Sequence, residues 1–309
     1  MNLLALDRIS GTSTPTVPIS DAESECTIWV KLEYEMPSGS TKDRIAARIL
    51  SEAAKAGVLN DGSVVVEASS GSTSIAFAMA CASIGVRFVA VMPEGVSGER
   101  LLMIRRYGGE VVLTPTADGM PGAMAEAEAR AALDASVYLP KQFSNPQNAQ
   151  AHRLRTAPEM LAQVGRRLDG FVAAVGTAGT LMGMGAAFRA ECGDGIALAR
   201  VRVAAGEEAD AEQGGPCAGI PGVVDCMSDI LDPAAIGVGP DIEVAHDDAM
   251  AATRELIHRG FPVGLSSGLN YRGAQRMAAT LGPGKHVGTV FCDRMERYFS
   301  TELFADLRV

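Results

Sequence analysis

The middle of the chain reads Gly170-Phe-Val-Ala-Ala-Val175, and Gly176-Thr-Ala-Gly-Thr180 follows at once. The first segment is short, apolar and uncharged, which is typical of a buried strand in a parallel sheet. The second segment is a glycine-lined turn, whose backbone N–H groups can point at an anion with the amino end of a helix behind them. It has neither the Gly-Lys-Ser/Thr of a Walker loop nor the G-x-G-x-x-G of a dinucleotide fold. We therefore predict a strand, a phosphate-binding turn and a helix, with a tight, closely packed turn as the alternative.

A second junction of this kind follows the apolar strand Val64-Val-Val-Glu67. Its residues, Ser69-Ser-Gly-Ser-Thr73, offer hydroxyl groups and helix N-terminal N–H groups, which suit a carboxylate. Ser and Thr are also favoured as helix caps, so a cluster of capping residues is the alternative. Ser266-Ser-Gly268 repeats the pattern near the carboxyl end of the chain.

A lysine stands at a third junction, Met36-Pro-Ser-Gly-Ser-Thr-Lys42, at the start of a predicted helix. The positive end of the helix dipole disfavours a second positive charge there, which makes the Lys42 amine a candidate nucleophile towards a carbonyl group. A solvated lysine beside Asp43 is the alternative, because most lysines are exposed.

Short apolar runs alternate with helical patterns along the chain, which is the order of a parallel sheet with crossover helices. The predicted strands are Thr27–Leu32, Ser63–Glu67, Arg87–Met92, Glu110–Thr114, Gly170–Val175, Val201–Ala205 and Val287–Phe291. The predicted helices are Lys42–Ala56, Thr73–Ile84, Ser97–Tyr107, Ala123–Ala135, Ala149–Val164 and Asp247–His258. Ligands bind at the carboxyl ends of the strands in such sheets, so we expect the junctions to meet at one site.

The composition is that of an ordinary globular protein, with 309 residues, 47% of them hydrophobic and 21% charged. The net charge of −10 disfavours nucleic acid and anionic membranes as partners, so a small molecule is expected. Two uncharged stretches of 19 residues, Ala68–Val86 and Gly170–Phe188, are long enough for a membrane span. Each contains a cluster of polar turn residues, however, which favours a buried strand, a turn and a helix start.

The cysteines and histidines give no sign of a metal or disulfide framework. The six cysteines are scattered without a C-x-x-C pair, and no signal-peptide pattern precedes them, which favours a cytoplasmic protein with reduced thiols. Cys217 and Cys226 flank a Gly/Pro-rich loop and are candidates for a redox pair, but ordinary thiols are the favoured interpretation. The four histidines are dispersed, and no metal site is predicted.

Several segments, in their order along the chain, resemble the motifs of one enzyme family. Pro37-Ser-Gly-Ser-Thr-Lys42-Asp-Arg44 is similar to N-P-x-x-S-x-K-D-R, Glu67-Ala-Ser-Ser-Gly-Ser-Thr73 to E-x-T-S-G-N-T, and Gln142-Phe-Ser-Asn-Pro146 to Q-F-x-N-P. Gly264-Leu-Ser-Ser-Gly268 resembles G-x-S-S-G, and Glu296-Arg-Tyr-Phe-Ser-Thr301 resembles E-R-Y-x-S-T. These are motifs of the cysteine synthase and cystathionine β-synthase family of pyridoxal-phosphate enzymes. The match runs from about Trp29 to Thr301.

The resemblance implies an α/β protein of fold type II, the tryptophan-synthase-β-like fold. It implies two three-layer domains, each with a mostly parallel sheet flanked by helices. Residues 37–148 would form a smaller, mobile N-terminal domain that binds the substrate carboxylate. Residues 1–36 and 149–309 would form the larger domain, which binds the cofactor phosphate and pyridine ring.

The resemblance also implies roles for individual residues. Lys42 would form the Schiff base with pyridoxal 5'-phosphate and then take the Cα proton of the substrate. The cofactor would be bound by Lys42, Ser72, Gly176, Thr177, Ala178, Gly179, Thr180 and Ser266, and the substrate carboxylate by Ser69, Ser70, Gly71, Thr73 and Gln142. Ser266 would contact the pyridine nitrogen, with Ser267 as the alternative. A hydroxyl at that nitrogen leaves the ring largely unprotonated, which favours loss of a group from Cβ.

Three departures from the family pattern leave the choice of substrate and nucleophile open, whereas the implied cofactor and reaction class are unchanged. Ser72 stands where the family has Asn. Ala178 stands where Gly is usual, which is acceptable only if its φ stays below zero. The stretch Gly214–Val223 resembles only loosely the family's loop that closes over the site.

The implied reaction is β-replacement on an activated serine or cysteine through an aminoacrylate intermediate, most like that of O-acetylserine sulfhydrylase (cysteine synthase). A β-elimination lyase, such as a cysteine desulfhydrase that releases hydrogen sulfide, pyruvate and ammonia, is the alternative within the family. A catalytically silent, pyridoxal-phosphate-binding regulatory protein is the alternative of another class. The implied partners are a small amino-acid substrate, a small nucleophile, a second copy in a homodimer and the tail of a serine acetyltransferase.

Overall fold

The structure, a computed structural model, describes residues 1–204, 220–224 and 227–307. Its strands are β1 (Thr16–Asp21), β2 (Cys26–Leu32), β3 (Val64–Ala68), β4 (Arg87–Pro93), β5 (Glu110–Thr114), β6 (Val137–Tyr138), β7 (Gly170–Ala174), β8 (Ala197–Val203), β9 (Ile242–Val244) and β10 (His286–Phe291). Its helices are α1 (Leu4–Gly11), α2 (Lys42–Lys55), α3 (Ser72–Ile84), α4 (Gly98–Arg106), α5 (Gly119–Leu133), α6 (Gln147–Ala151), α7 (Ala157–Val164), α8 (Gly179–Cys192), α9 (His246–His258) and α10 (Leu265–Leu281). A π-helical turn, His152–Thr156, joins α6 to α7.

The strands form two sheets flanked by helices, which confirms the predicted α/β fold. The larger sheet has the order β1-β2-β10-β7-β8-β9. Within it β1 runs antiparallel to β2, and the other pairs are parallel. The smaller sheet has the order β5-β4-β3-β6 and is parallel throughout its described pairs. All five residues of β3 are buried, as expected for a strand covered by helices on both faces.

The strands of the smaller sheet all fall within residues 37–148, and those of the larger sheet fall in the rest of the chain. The first helix, α1, nevertheless packs through Ala5, Leu6 and Ile9 into the same hydrophobic core as α2 and α3. The division into two domains and the mobility of the smaller one stay predictions.

The most prominent element that the sequence did not predict is α10, the 17-residue helix that begins at the Ser-Ser-Gly motif. This helix was missed because Gly268 and Gly273 lie inside it, and glycine has a low helix propensity. Both glycines serve close packing: a Cβ at Gly268 would collide with Thr253, and one at Gly273 would collide with Val201. The strand predicted at Val201–Ala205 begins four residues earlier, as β8 (Ala197–Val203). Ala205 lies outside the described residues.

The short elements α1, β1, β6 and β9 were also missed. Pro18 lies inside β1, where proline is tolerated because β1 is an edge strand of the sheet. The two uncharged stretches are the predicted combinations of strand, turn and helix, β3 with α3 and β7 with α8. No helix in the described part of the chain combines the length and the apolar character that a membrane crossing requires.

Candidate active site

One pocket collects every residue that the sequence assigned to the site, from turns that follow strands of both sheets. The predicted residues that line it are Lys42, Ser69, Ser70, Gly71, Ser72, Thr73, Gln142, Gly176, Thr177, Ala178, Gly179, Thr180 and Ser266. Residues without a predicted role also line it, among them Arg100, Asn270, Cys292, Asp293 and Tyr298. The expectation that the junctions meet at one site is therefore correct.

Lys42 is the first residue of α2, and the turn before it is held from the far end of the chain. The buried Arg297 donates hydrogen bonds to the carbonyl oxygens of Gly39 (2.5 Å) and Ser38 (2.6 Å). Asp43 is fully buried and accepts hydrogen bonds from the backbone N–H and the hydroxyl of Ser38. Burial raises the pKa of Asp43 to about 6, although the Ser38 hydrogen bonds oppose this shift. Asp43 is therefore bound to the turn before Lys42, and Lys42 is half-buried rather than the exposed lysine of the alternative interpretation.

The residue after Asp43 fixes the beginning of α2 in the core. Arg44 forms a buried ion pair with Glu33 (2.6 Å) and a second with Glu159 (2.8 Å). Arginine suits this position because its planar guanidinium can bind two carboxylates at once. The ion pairs join α2 to the segment after β2 and to α7, so the position of Lys42 does not depend on the turn alone.

The turn after β7 fits the phosphate group of the implied cofactor. Thr177 accepts a hydrogen bond from the Asn148 side-chain N–H (2.7 Å), which leaves the Thr177 hydroxyl hydrogen available to donate. The first N–H groups of α8 have no partner within the helix, and they lie at its positive end. A Cβ at Gly176 would collide with the Gly222 carbonyl oxygen, and one at Gly179 with the Asn148 amide oxygen. The glycines therefore allow Gly222 and Asn148 to pack closely against this turn.

Ala178 does not have the backbone conformation that the sequence led us to expect. Its φ is +63°, in the left-handed region, whereas we predicted a negative φ for any residue replacing the family's glycine. A left-handed residue with a Cβ costs about 1 to 2 kcal/mol. The structure places Ala178 directly before α8, where the chain turns sharply into the helix, so the turn keeps its shape at the expense of local strain.

His152 lies behind the same turn and was given no role by the sequence analysis. Its Nε2 is 3.5 Å from the Thr180 hydroxyl oxygen, and its Nδ1 is 3.0 Å from the Thr156 hydroxyl oxygen. Burial lowers the pKa of His152 to about 3, although Glu33 opposes this shift. The imidazole is therefore neutral and adds no charge near the turn. It lies in the π-helical segment, which no local sequence pattern predicts.

The hydroxyl groups of the turn after β3 are mostly bound to one another. Ser69 Oγ lies 2.6 Å from Ser74 Oγ and accepts hydrogen bonds from the N–H groups of Gly71 and Ser74 (both 3.1 Å). Thr73 donates to the Gln142 side-chain oxygen (2.6 Å), and the Gln142 amide donates to the Ala68 carbonyl (2.8 Å). A bound carboxylate would therefore meet the free N–H groups of the first turn of α3 rather than these side chains.

A buried carboxyl group, Glu67, lies beneath this turn. It accepts hydrogen bonds from the backbone N–H groups of Ala68 (3.1 Å) and Gln142 (3.3 Å). Burial raises the pKa of Glu67 to about 8, although these backbone hydrogen bonds oppose the shift. Glu67 thus joins the strand before the turn to the segment that carries Gln142, a link that the sequence analysis did not find.

Ser72, which replaces the family's asparagine, points to the other side of the pocket. Its hydroxyl donates to Asp293 (3.0 Å), and the Tyr298 hydroxyl donates to the same carboxylate oxygen (2.8 Å). Ser266 lines the pocket, whereas Ser267 is buried and accepts a hydrogen bond from the Cys292 N–H (2.9 Å). The two serines therefore have the register in which Ser266 faces the pocket.

Of the loop predicted at Gly214–Val223, residues 214–219 lie outside the described residues, as do Cys217 and Cys226. Its described end contributes Pro221, Gly222 and Val223 to the pocket lining.

Comparison with known proteins supports the same assignment. The family model for pyridoxal-phosphate dependent enzymes matches residues 8–293. A cysteine synthase of Staphylococcus aureus is 36% identical over 303 residues, which cover 94% of each chain. A probable cysteine synthase of Bacillus subtilis is 36% identical over 304 residues, covering 94% of this chain and 95% of the relative.

Solved structures agree in fold. The structure of an O-ureido-L-serine synthase has a TM-score of 0.88 and 32% identity, covering 98% of this chain and 95% of its own. A hydrogen sulfide-producing enzyme from Fusobacterium nucleatum has a TM-score of 0.86 and 30% identity, covering 95% of this chain and 98% of its own. The chain therefore belongs to the pyridoxal-phosphate dependent enzymes of fold type II, as a cysteine synthase-like member whose cofactor is pyridoxal 5'-phosphate.

Proposed function

We propose that this enzyme catalyses β-replacement on an activated serine or cysteine, most like the reaction of a cysteine synthase. The proposal is supported by one observation above all. Lys42, the glycine turn after β7 and the hydroxyl-rich turn after β3 line a single pocket. The relatives named cysteine synthase, at 36% identity over most of their length, support the same reaction.

When bound, pyridoxal phosphate supplies an electron sink for the charge that develops at the substrate Cα. Lys42 carries the amine that binds the cofactor covalently and afterwards takes the Cα proton on its Nζ. Position supports both tasks, since Lys42 lines the pocket and no carboxylate among the described residues pairs with its amine. Ser266 offers a hydroxyl, not a carboxylate, to the pyridine nitrogen.

Each of the two turns binds a different anion. Gly176, Thr177, Ala178, Gly179 and Thr180 hold the phosphate through the N–H groups of α8 and the hydroxyl that Asn148 orients. The turn that receives the substrate carboxylate at the amino end of α3 contains Ser69, Ser70, Gly71 and Thr73, and Gln142 binds it through Thr73. Binding the two anions at opposite ends of the reactant fixes Cα and Cβ between them, near Lys42.

Net β-elimination, with release of hydrogen sulfide, pyruvate and ammonia from cysteine, is the second candidate. It is favoured by Ser72, whose hydroxyl is bound to Asp293 and so offers the substrate less than the family's asparagine would. Solved neighbours include a hydrogen sulfide-producing enzyme, which is consistent with this candidate. A catalytically silent, cofactor-binding regulatory protein is the candidate of another class.

The test compares wild-type holoenzyme with Lys42→Ala, in the presence of O-acetylserine with and without sulfide. We expect cysteine from the wild type, little pyruvate, and a loss of both products in the variant, because no other amine lines the pocket among the described residues. Borohydride reduction followed by mass spectrometry should attach the cofactor to the wild-type chain only. Near-normal turnover by Lys42→Ala would contradict the assignment. Pyruvate as the main product would favour the lyase, and no product at all would favour the silent protein.

We also propose a homodimer, a cytoplasmic location and the binding of a serine acetyltransferase tail. Location is supported by the four described cysteines, Cys26, Cys81, Cys192 and Cys292, which are all free thiols. Light scattering of the purified protein tests the dimer. Co-elution with a serine acetyltransferase, abolished by removing the last residues of that partner, tests the tail.

A further inference from the structure

Arg100 is a buried cation without a partner in the pocket. Only 5% of its surface is exposed, and no residue in the described part of the chain accepts a hydrogen bond from its guanidinium. Its Nε is fully enclosed and unpaired. The side chain lines the same pocket as Lys42 and the turn after β3.

The other two deeply buried arginines in the described part of the chain both have hydrogen-bond acceptors, so the state of Arg100 is not general in this protein. Arg44 binds two carboxylates, Glu33 and Glu159. Arg297 has an unpaired Nε as well, but both of its terminal nitrogens donate to backbone carbonyls. Arg100 has instead only a cation–π contact, with its Cζ 5.0 Å from the centre of the Tyr298 ring. A buried charge without a hydrogen-bond acceptor is costly, which points to an anion that occupies the site when the enzyme works.

The surroundings of Arg100 hold its side chain in one place. Its Cδ lies against Gly71, where a Cβ would collide with it, so the arginine needs a glycine at this point of the turn. Asp293 accepts from Ser72 and Tyr298 through one oxygen, and its other oxygen is buried without a hydrogen-bond partner. Glu99 accepts from Ser300, and neither carboxylate forms an ion pair with Arg100. Within residues 1–204, 220–224 and 227–307, no acidic side chain therefore neutralises Arg100 in an ion pair.

Two anions of the proposed reaction already have binding elements, the cofactor phosphate at α8 and the substrate carboxylate at α3. The remaining source of negative charge is the group that leaves Cβ or the nucleophile that replaces it. Guanidinium binds planar carboxylates and phosphates through paired hydrogen bonds, which also fixes their orientation.

Resting on the proposed function, we propose that Arg100 is a specificity-determining residue that binds an anionic oxygen group, carboxylate or phosphate, on the leaving group or the nucleophile. It therefore favours reactants that carry a second negative charge over neutral ones of the same size.

Two matched pairs of reactants distinguish the sources. For the leaving group, kcat/KM with sulfide is measured for O-phosphoserine and for O-acetylserine, whose side chain is uncharged. For the nucleophile, mercaptoacetate is compared with 2-mercaptoethanol, both with O-acetylserine. In Arg100→Met we expect the charged member of one pair to lose about tenfold to a hundredfold more in kcat/KM than the neutral member. Arg100→Lys should restore part of this preference, and Arg105→Met, an exposed arginine on the same helix, should leave it unchanged.

A second readout does not need turnover. Inorganic phosphate should raise the melting temperature of wild-type holoenzyme, whose cofactor site is filled, and should raise that of Arg100→Met less. Equal losses for both members of both pairs, together with equal stabilisation by phosphate, would overturn the proposal and assign Arg100 to the turn itself. A wild type that binds phosphate through Arg100 but forms no product would instead refute the proposed function and leave the anion site standing.

Discussion

The turn after β7 and the turn after β3 both place small and hydroxyl-bearing residues at the start of a helix, but they use their hydroxyl groups differently. In the first, Asn148 donates to Thr177, so the threonine keeps its hydrogen for a ligand. In the second, Ser69 is bound to Ser74, and Thr73 is bound to Gln142. The turn after β7, for which we propose phosphate binding (the phosphate turn), therefore has a hydroxyl donor free before a ligand binds. The turn after β3, for which we propose carboxylate binding (the carboxylate turn), has bound its own side chains to one another, so the free N–H groups at the start of α3 are the donors left for a substrate.

The two turns also differ in the charge state of the buried side chains that contact them. The phosphate turn has neutral supports, the Asn148 amide and the His152 imidazole. The carboxylate turn rests on Glu67, a carboxyl whose pKa is raised into the physiological range. The binding of the cofactor should therefore depend little on pH, whereas the carboxylate turn should respond to it.

The largest effect is expected from Gly179→Asp in the phosphate turn. The new side chain would collide with Asn148 and would place a negative charge against the phosphate, so cofactor affinity should fall on the order of a hundredfold. Cofactor content after dialysis measures this. Gly195→Asp is the control, because that glycine lies beyond the other end of α8 and a Cβ added there would meet nothing within 4 Å. Equal cofactor content in both variants would remove this turn from the cofactor site.

Glu67→Gln should change how stability depends on pH. Folding raises the pKa of Glu67 from 4.5 to about 8, so the folded protein holds a proton that the unfolded chain has lost. The free energy of unfolding should therefore fall as pH rises through this window, by about 1.4 kcal/mol per pH unit from this group. The variant lacks this contribution. Denaturant unfolding of both proteins at pH 6 and pH 8 measures the difference, and parallel pH profiles would show that Glu67 does not titrate there.

Ser72→Asn restores the family residue at the carboxylate turn. An amide reaches further and adds a donor near the substrate, so the ratio of cysteine to pyruvate from O-acetylserine plus sulfide should rise. The rise should be about tenfold if one hydrogen bond of about 1.4 kcal/mol decides it. Ser72→Ala is the control, because it removes the bond to Asp293 without adding an amide. An unchanged ratio in Ser72→Asn would place this specificity elsewhere, with 214–223 the next segment to test.

The smallest effect concerns Ala178. Ala178→Gly relieves the left-handed strain at φ +63°, so it should stabilise the protein by about 1 kcal/mol or slightly less. Ala186→Gly, within α8, should destabilise by about 1 kcal/mol, since glycine is a poor helix former. Thermal or denaturant unfolding measures both. Two changes of the same sign would mean that the turn does not store strain at Ala178.

Local sequence was sufficient for the junctions and for most of the strands and helices around them. Buried apolar runs, turn glycines and helix-start hydroxyls depend on neighbours within a few residues, and the structure has them where they were predicted. Lys42, the phosphate turn and the carboxylate turn belong to this class. The helix α10 does not, because its glycines are explained only by the close approach of Thr253 and Val201.

The contacts that hold the site residues in place could not be predicted from any local sequence pattern. Asn148 meets Thr177 across 29 positions, Glu67 meets Gln142 across 75, and Ser72 meets Asp293 across 221. Such contacts decide which hydroxyl group is bound and which is free. They also decide the positive φ of Ala178 and the unpaired state of Arg100. The sequence alone thus determined which residues line the pocket, because strand ends and helix starts are coded locally. Tertiary structure alone decided their hydrogen bonds and charges, because these depend on partners that only the folded chain brings together.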